Sequence, residues 1–277
     1  MNASEAARDW PGQAAMWRSL ARLMAEDRVP GAVLVIGMAG LPASPYADAV
    51  ADALLCDDPQ DGRPCRRCAA CRLAAAQSHP DRWTVADEHG QVRIDDVRQA
   101  LAWAAYRPQR GWRRVVRLDG ADRLGPEAAV AALKGVEEPG RGVTWILSAT
   151  APGRVPAAMR SRCVAFTLRP VPAEELATWL GALGGGEEAA PAAAAAGGLP
   201  GEALEALGLG RSAADEGREA VGRLRRRVRA ALRAGTLTAG EARIALERAR
   251  LAEAALRLAT PARLVADALA EVEPARP

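Results

Sequence analysis

Four of the five cysteines fall within sixteen residues, as Cys56, Cys65, Cys68 and Cys71. Their spacing, C-x8-C-x2-C-x2-C, lets paired thiolates reach one ion from a tight turn, and four thiolates close a tetrahedral zinc site. A closed site has no open position for water, so it predicts a structural metal and no metal catalysis. The plainer reading is a set of free thiols with Cys56 buried in a helix. Exposed, clustered thiols invite oxidation, which favours the metal. Cys163 stands apart and reads as a core cysteine.

A second stretch has the frame of a phosphate-binding loop without its chemistry. "GMAGLPAS" follows the apolar run "AVLVI" and precedes "YADAVADALL". Gly37 and Ser44 stand at the two ends of the pattern G-x-x-x-x-G-K-[ST]. Pro42 replaces the second glycine, and Ala43 replaces the lysine that would reach the phosphates. Further on, "VVRLDGAD" ends an apolar strand in Asp119, where a P-loop ATPase holds Mg²⁺. Gly120 follows, where an active ATPase of the AAA+ type would carry a glutamate to orient the attacking water. In "RSRC", Arg160 and Arg162 end a helical turn that leads back into the sheet. From there an arginine can reach a phosphate on a neighbouring molecule. The plainer alternative is that Arg162 caps the helix end.

These positions need elements to hold them. Residues 11–25 have helical periodicity, and "GAVLVIG" reads as a buried strand. "YADAVADALLC" reads as the helix that follows it. "DRWTVAD", "RRVVRLDGAD", "VTWILSAT" and "VAFTL" are four further strands, separated by the helical stretches "IDDVRQALAWAAY" and "GPEAAVAALKGVEEPG" and the turn "PAAMRSRC". Strands alternating with helices require crossovers and a mostly parallel sheet. Beyond Arg169 the chain is helical, in short segments cut by Gly and Pro and then, from about Ser212, in long Ala/Leu/Arg/Glu segments.

The ordered set of motifs resembles the delta-prime subunits of bacterial DNA polymerase III clamp loaders, over nearly the whole chain. The resemblance rests on "RVPGAVLVIG", the cysteine cluster after "LLC", "QSHPD", "ALKGVEEP", "RVPAAMRSRC" and "GGLPGEAL". It implies an AAA+ α/β domain at 1–168 with a degenerate P-loop and a zinc module at about 56–71. A helical lid at 169–208 and a helical collar at 209–277 would follow. It implies a non-catalytic subunit with no working ATP site, lacking the lysine (Ala43), the acid (Gly120) and the lid arginine (Gly201). It also implies that Arg162 is an arginine finger acting in trans on a neighbour's ATP, with Arg160 assisting or packing. The implied partners are the ATPase subunits and delta in a pentamer, with the sliding clamp and primed DNA met through that complex.

Two other function classes are weighed against this one. Ala43 opposes an autonomous ATPase. A zinc-containing nucleic-acid-binding module would use Arg63, Arg66, Arg67 and Arg72 around the cysteines, but no aromatic side chain is interleaved with them for stacking. The run "RLRRRVR", residues 223–229, reads first as a solvated helix face. The net charge of +3 announces no polyanion partner. No apolar run is long enough to span a membrane, and the first residues lack a leader pattern, so the expected location is cytoplasmic. His79 reads as a turn residue, and neither it nor His89 has metal-ligand spacing.

Overall fold

The computed structural model describes residues 9–85 and 92–209. The chain divides into two compact units, Met1–Leu207 and Gly208–Pro277. The collar segment, the arginine run at 223–229 and His89 lie outside the described residues.

In chain order the first unit contains α1 (Ala14–Ala25), β1 (Ala32–Ile36), α2 (Ala43–Leu55), α3 (Ala69–Ala75) and β2 (Arg82–Val85). Then come α4 (Ile94–Ala104), β3 (Arg114–Leu118), α5 (Pro126–Glu137), β4 (Val143–Ala149), α6 (Ala157–Arg160) and β5 (Val164–Thr167). Three short helices close it: α7 (Ala173–Ala182), α8 (Ala189–Ala195) and α9 (Pro200–Ala206). Among the described residues the strands form one sheet in the order β2-β3-β4-β1-β5. Every neighbouring pair is parallel, with Leu34 opposite both Leu147 and Ala165 in the two ladders of β1.

Parallel strands with helices on both faces are expected to be apolar on both sides, and the central strands are, apart from the buried Arg114 and Arg117 of β3 and Thr144 and Ser148 of β4. All seven residues of β4 and all five of β3 are buried. Successive side chains alternate between two cores. Val33 and Val35 join Ile146, Val115, Leu20 and Tyr46 on the face covered by α1 and α2. Ala32 and Leu34 join Trp145, Leu147, Val116 and Val97 on the face covered by α4 and α5. The segment after the sheet has its own cluster, in which Leu176, Trp179 and Leu180 pack on Ala192, Ala193 and Ala203.

The connection leaving β1 runs to α2 on one face, and the connection leaving β4 runs to α6, whose Met159 packs into the core of the other face. Adjacent strands that send their chains to opposite faces leave a crevice at their carboxyl ends, the place where open α/β sheets take ligands. Gly37 and the chain after Leu118 both lie at that end of the sheet.

Candidate functional site

At the carboxyl end of β1, the Gly37 amide donates to the Ala149 carbonyl at 2.9 Å. The next residues turn back on themselves. Met38 and Leu41 exchange two backbone hydrogen bonds, each 3.0 Å long, across a turn in which Gly40 has φ of 73°. A loop that cradles phosphate needs its N–H groups free and convergent, and two of these are spent within the turn. A Cβ on Gly37 would lie 2.4 Å from the Leu41 carbonyl oxygen, so the turn is folded tightly. Helix α2 starts at Ala43, three residues earlier than the sequence pattern suggested, with Pro42 before it in extended conformation. Ser44 is therefore in the first turn of the helix.

The start of α9 rests on this turn. The Gly201 amide donates to the Gly40 carbonyl at 2.8 Å. A side chain at 201 would begin with a Cβ 2.9 Å from that same oxygen. An arginine at this position would require α9 to move away from the turn.

The crevice holds an arginine that the sequence reading did not single out. Arg117, on β3, has a side chain only 1% exposed. Its Nη2 donates to Ser44 Oγ at 2.9 Å, to the Ser44 carbonyl at 3.1 Å and to Asp119 Oδ1 at 3.1 Å. Its Nε donates to Asp48 Oδ1 at 3.0 Å, and Nη1 donates to the Leu118 carbonyl at 2.8 Å and to Ser148 Oγ at 3.3 Å. The Ser148 hydroxyl donates to Asp119 Oδ1 at 2.5 Å. Burial alone would raise the Asp119 carboxyl, but the Arg117 charge and the hydroxyls of Ser148 and Ser44 outweigh it and hold the group below its ordinary value. Gly120 has φ of 71° and donates its N–H to Ser148 Oγ at 3.2 Å. The signal for Arg117 was in the sequence, since a charged residue inside an apolar strand must find counter-charges on neighbouring elements.

Arg117 is also the end of a charge ladder. Asp48 and Asp52, one turn apart on α2, alternate with arginines from three other segments. Arg66 pairs with Asp9 at 3.0 Å and with Asp52 at 2.6 Å. Arg82 then joins Asp52 at 2.6 Å to Asp48 at 2.7 Å. The ladder runs from the cysteine loop to the crevice.

The four clustered cysteines come together as their spacing implied. Their sulfurs all lie within 4.8 Å of one another. Cys56 Sγ is 3.8 Å from Cys68 Sγ and 3.6 Å from Cys71 Sγ. Ligands about 2.3 Å from a tetrahedral zinc are separated by about 3.8 Å, so the set fits that ion. Cys56 follows the end of α2, and Cys68 caps α3, its sulfur accepting from the Cys71 N–H at 3.3 Å. Burial drives the Cys56 thiol up to about 11 and that of Cys71 up as well. At Cys65 burial is outweighed by the N–H groups of Arg67 and Cys68, which bring the thiol down to about 7.

The arginines of this loop divide into two groups. Arg63 lies over the Trp17 ring at 4.6 Å and donates to the Gly12 carbonyl at 3.0 Å. Arg66 is committed to the ladder. Arg67 and Arg72 remain on the surface, Arg67 with Asp58 at 3.4 Å. His79 fixes a turn as expected, its Nδ1 accepting from the Asp81 N–H at 3.1 Å. Cys163 lies against the α4/α5 core, and burial raises its thiol to about 11.

Arg160 and Arg162 flank the end of α6 but do different work. Arg160 donates to the Pro152 carbonyl at 2.9 Å. Arg162 is 45% exposed; its Nε pairs with Glu137 at 2.8 Å and its Nη1 donates to the Ala158 carbonyl at 3.0 Å. It does cap α6, and it keeps much of its guanidinium in solvent. Glu137, from "KGVEEP", is its partner, a role not anticipated from sequence.

Residues 12–172 match the family model described as DNA polymerase III, delta subunit. The chain belongs to this family. DNA polymerase III subunit delta′ of Pseudomonas aeruginosa is 34% identical over 157 residues, which cover 56% of this chain and 47% of the relative. The delta′ subunit of Escherichia coli is 34% identical over 151 residues, covering 54% of this chain and 45% of that one. The tau subunit of Escherichia coli is 29% identical over 168 residues, covering 61% and 26%. The chain thus spans about half the length of the delta′ relatives it matches. The match covers the sheet, the crevice, the four cysteines and the α6 arginines of this DNA polymerase III delta family member. No helix among its described residues is long and apolar enough to cross a membrane.

Proposed function

We propose that the chain is a non-catalytic clamp-loader subunit of the delta-prime type, in which Arg162 acts in trans on ATP held by an adjacent ATPase subunit. The observation that carries this reading is a contrast between two arginines. Arg117 is buried in the chain's own crevice, bonded to Ser44 and Asp119. Arg162 stands 45% exposed at the end of α6, held on one side by Glu137 and Ala158. A planar guanidinium presented this way can stabilise charge on the oxygens of a transferring phosphoryl group.

The chain's own crevice supports no such chemistry on this reading. Ala43 offers no charge to the phosphates, Gly120 has no carboxylate to orient water, and the turn at 37–41 uses its own N–H groups. Positioning and charge stabilisation make up almost all of catalysis in phosphoryl transfer. The autonomous-ATPase alternative is thereby disfavoured. Commitment of Arg63 and Arg66 to internal contacts also weakens a nucleic-acid module built on the cysteine loop.

In the same reading, Cys56, Cys65, Cys68 and Cys71 hold a structural zinc, which when bound would cross-link the end of α2 to α3. Residues 169–208 form a lid and 209–277 a collar in a pentamer with the ATPase subunits and delta, acting on the sliding clamp and primed DNA in the cytoplasm. The test is to assemble the complex with Arg162→Ala, confirm assembly by sizing, and measure clamp- and DNA-stimulated hydrolysis. Hydrolysis should fall, with partial recovery in Arg162→Lys, which keeps the charge and loses the fork. Normal hydrolysis in a fully assembled Arg162→Ala complex would end the proposal.

A further inference from the structure

In a working P-loop site the Ser or Thr at the helix start and the acid at the strand end share one Mg²⁺. Ser44 and Asp119 stand in those places here, and both are bonded to a single nitrogen, Arg117 Nη2, at 2.9 and 3.1 Å. Asp48 and Ser148 supply further oxygens to the same guanidinium, at 3.0 and 3.3 Å. We propose that Arg117 is a built-in replacement for the metal ion, a positioning residue whose cation holds the start of α2 to the end of β3 where an active relative would need Mg²⁺ and nucleotide.

The chemistry favours an arginine in this place. The surrounding donors are two carboxylates, two hydroxyl oxygens and two backbone carbonyls, all acceptors that a hard cation would otherwise satisfy. A guanidinium has five N–H donors in a planar fork and stays charged when buried. Arg117 makes six contacts within 3.3 Å to these groups. A magnesium ion requires oxygens at about 2.0–2.1 Å, so it cannot share the oxygens that the guanidinium already spans.

The consequence is mechanical. In a ligand-dependent site the bridge between these two elements comes and goes with the metal–nucleotide complex. Arg117 supplies that bridge whether or not a ligand is present. The inference rests on the reading of the crevice as a nucleotide site that has lost its ligand. It does not depend on Arg162, and a failure of the arginine-finger assay would leave it standing.

The test uses the full chain with its cysteine site loaded with zinc. Arg117→Met keeps most of the stem volume, takes from Asp119 its nearest cation and leaves Asp48 with Arg82 alone. Thermal unfolding is followed with and without Mg²⁺ or Mn²⁺, and bound Mn²⁺ is counted by water-proton relaxation. A divalent ion at a hundredfold excess over its dissociation constant should raise the midpoint of Arg117→Met by about 5 °C or more and leave the wild type unmoved. Mn²⁺ should bind at one site per chain in the variant, and adding Asp119→Asn should abolish both effects. Equal responses in variant and wild type, or no response in either, would overturn the proposal. If Arg117→Met fails to fold in every buffer, the triple variant Arg117→Met/Asp48→Asn/Asp119→Asn decides. Recovery of folding would support a cation role, and continued failure would show that Arg117 is needed for packing instead.

Discussion

Replacing Asp52 with asparagine tests whether the charge ladder ties the cysteine loop to the sheet. Asp52 is 9% exposed and accepts from Arg66 and Arg82, both at 2.6 Å. The substitution keeps the shape and one acceptor but leaves two guanidinium groups, each about 15% exposed, short of a counter-charge. Breaking a buried pair by removing one partner costs roughly 3–5 kcal/mol. Residual solvent at the two arginines and the remaining bonds to Asp9 and Asp48 reduce this to about 2–4 kcal/mol. For a unit of this size each kcal/mol moves the midpoint by roughly 2–4 °C, so a drop of about 4–16 °C is expected. The assay is thermal unfolding followed by near-ultraviolet circular dichroism of the buried Trp17 and Trp145, with urea unfolding at unchanged slope giving the loss in kcal/mol. A cycle with Arg82→Met should show a coupling of about 1 kcal/mol or more. A loss below about 1 kcal/mol, typical of an exposed pair, would refute the reasoning.

Three further outcomes are expected. Protein prepared under reducing conditions should contain one zinc per chain, and chelation should raise amide exchange across residues 56–75 more than in β1 and β4; elemental analysis finding no metal would remove the site. Asp119 has a folded pKa held below its ordinary value, so its contribution to stability is present above about pH 4 and is lost as pH falls through the lowered value; Asp119→Asn should therefore flatten the acid limb of stability, and superimposable urea midpoints from pH 2 to 6 would contradict this. In the isolated chain, Arg162→Ala should cost less than about 1 kcal/mol, because both it and Glu137 are more than a third exposed; a larger loss by denaturant titration would mean that Arg162 serves the fold first.

The parts that chemistry confines to short stretches of chain were legible in the sequence. Tightly spaced cysteines can converge on one point from a single turn, and Cys56, Cys65, Cys68 and Cys71 do. Strands buried on both faces are expected to be mostly apolar, so β1 and β4 stood out between their helices. The contacts of Arg117 were less accessible, because its partners come from α2, β3 and β4, separated by up to 73 residues. The period-four pair Asp48 and Asp52 hinted at a charged stripe on α2, yet only the sheet order brings Arg82 and Arg117 to it. Glu137 lay in a motif already noted, but its pairing with Arg162 depends on α5 and α6 meeting. The self-pairing of Met38 and Leu41 depends on backbone geometry, which the substitutions Pro42 and Ala43 suggested without specifying.

The most direct measurement is a calorimetric titration of Mg-ATP into the isolated, zinc-loaded chain. With Arg117 between Ser44 and Asp119, the turn at 37–41 closed on itself and Gly201 seated on Gly40, no saturable binding is expected up to millimolar nucleotide. Micromolar affinity at a single site would contradict the reading of this crevice as closed by its own residues.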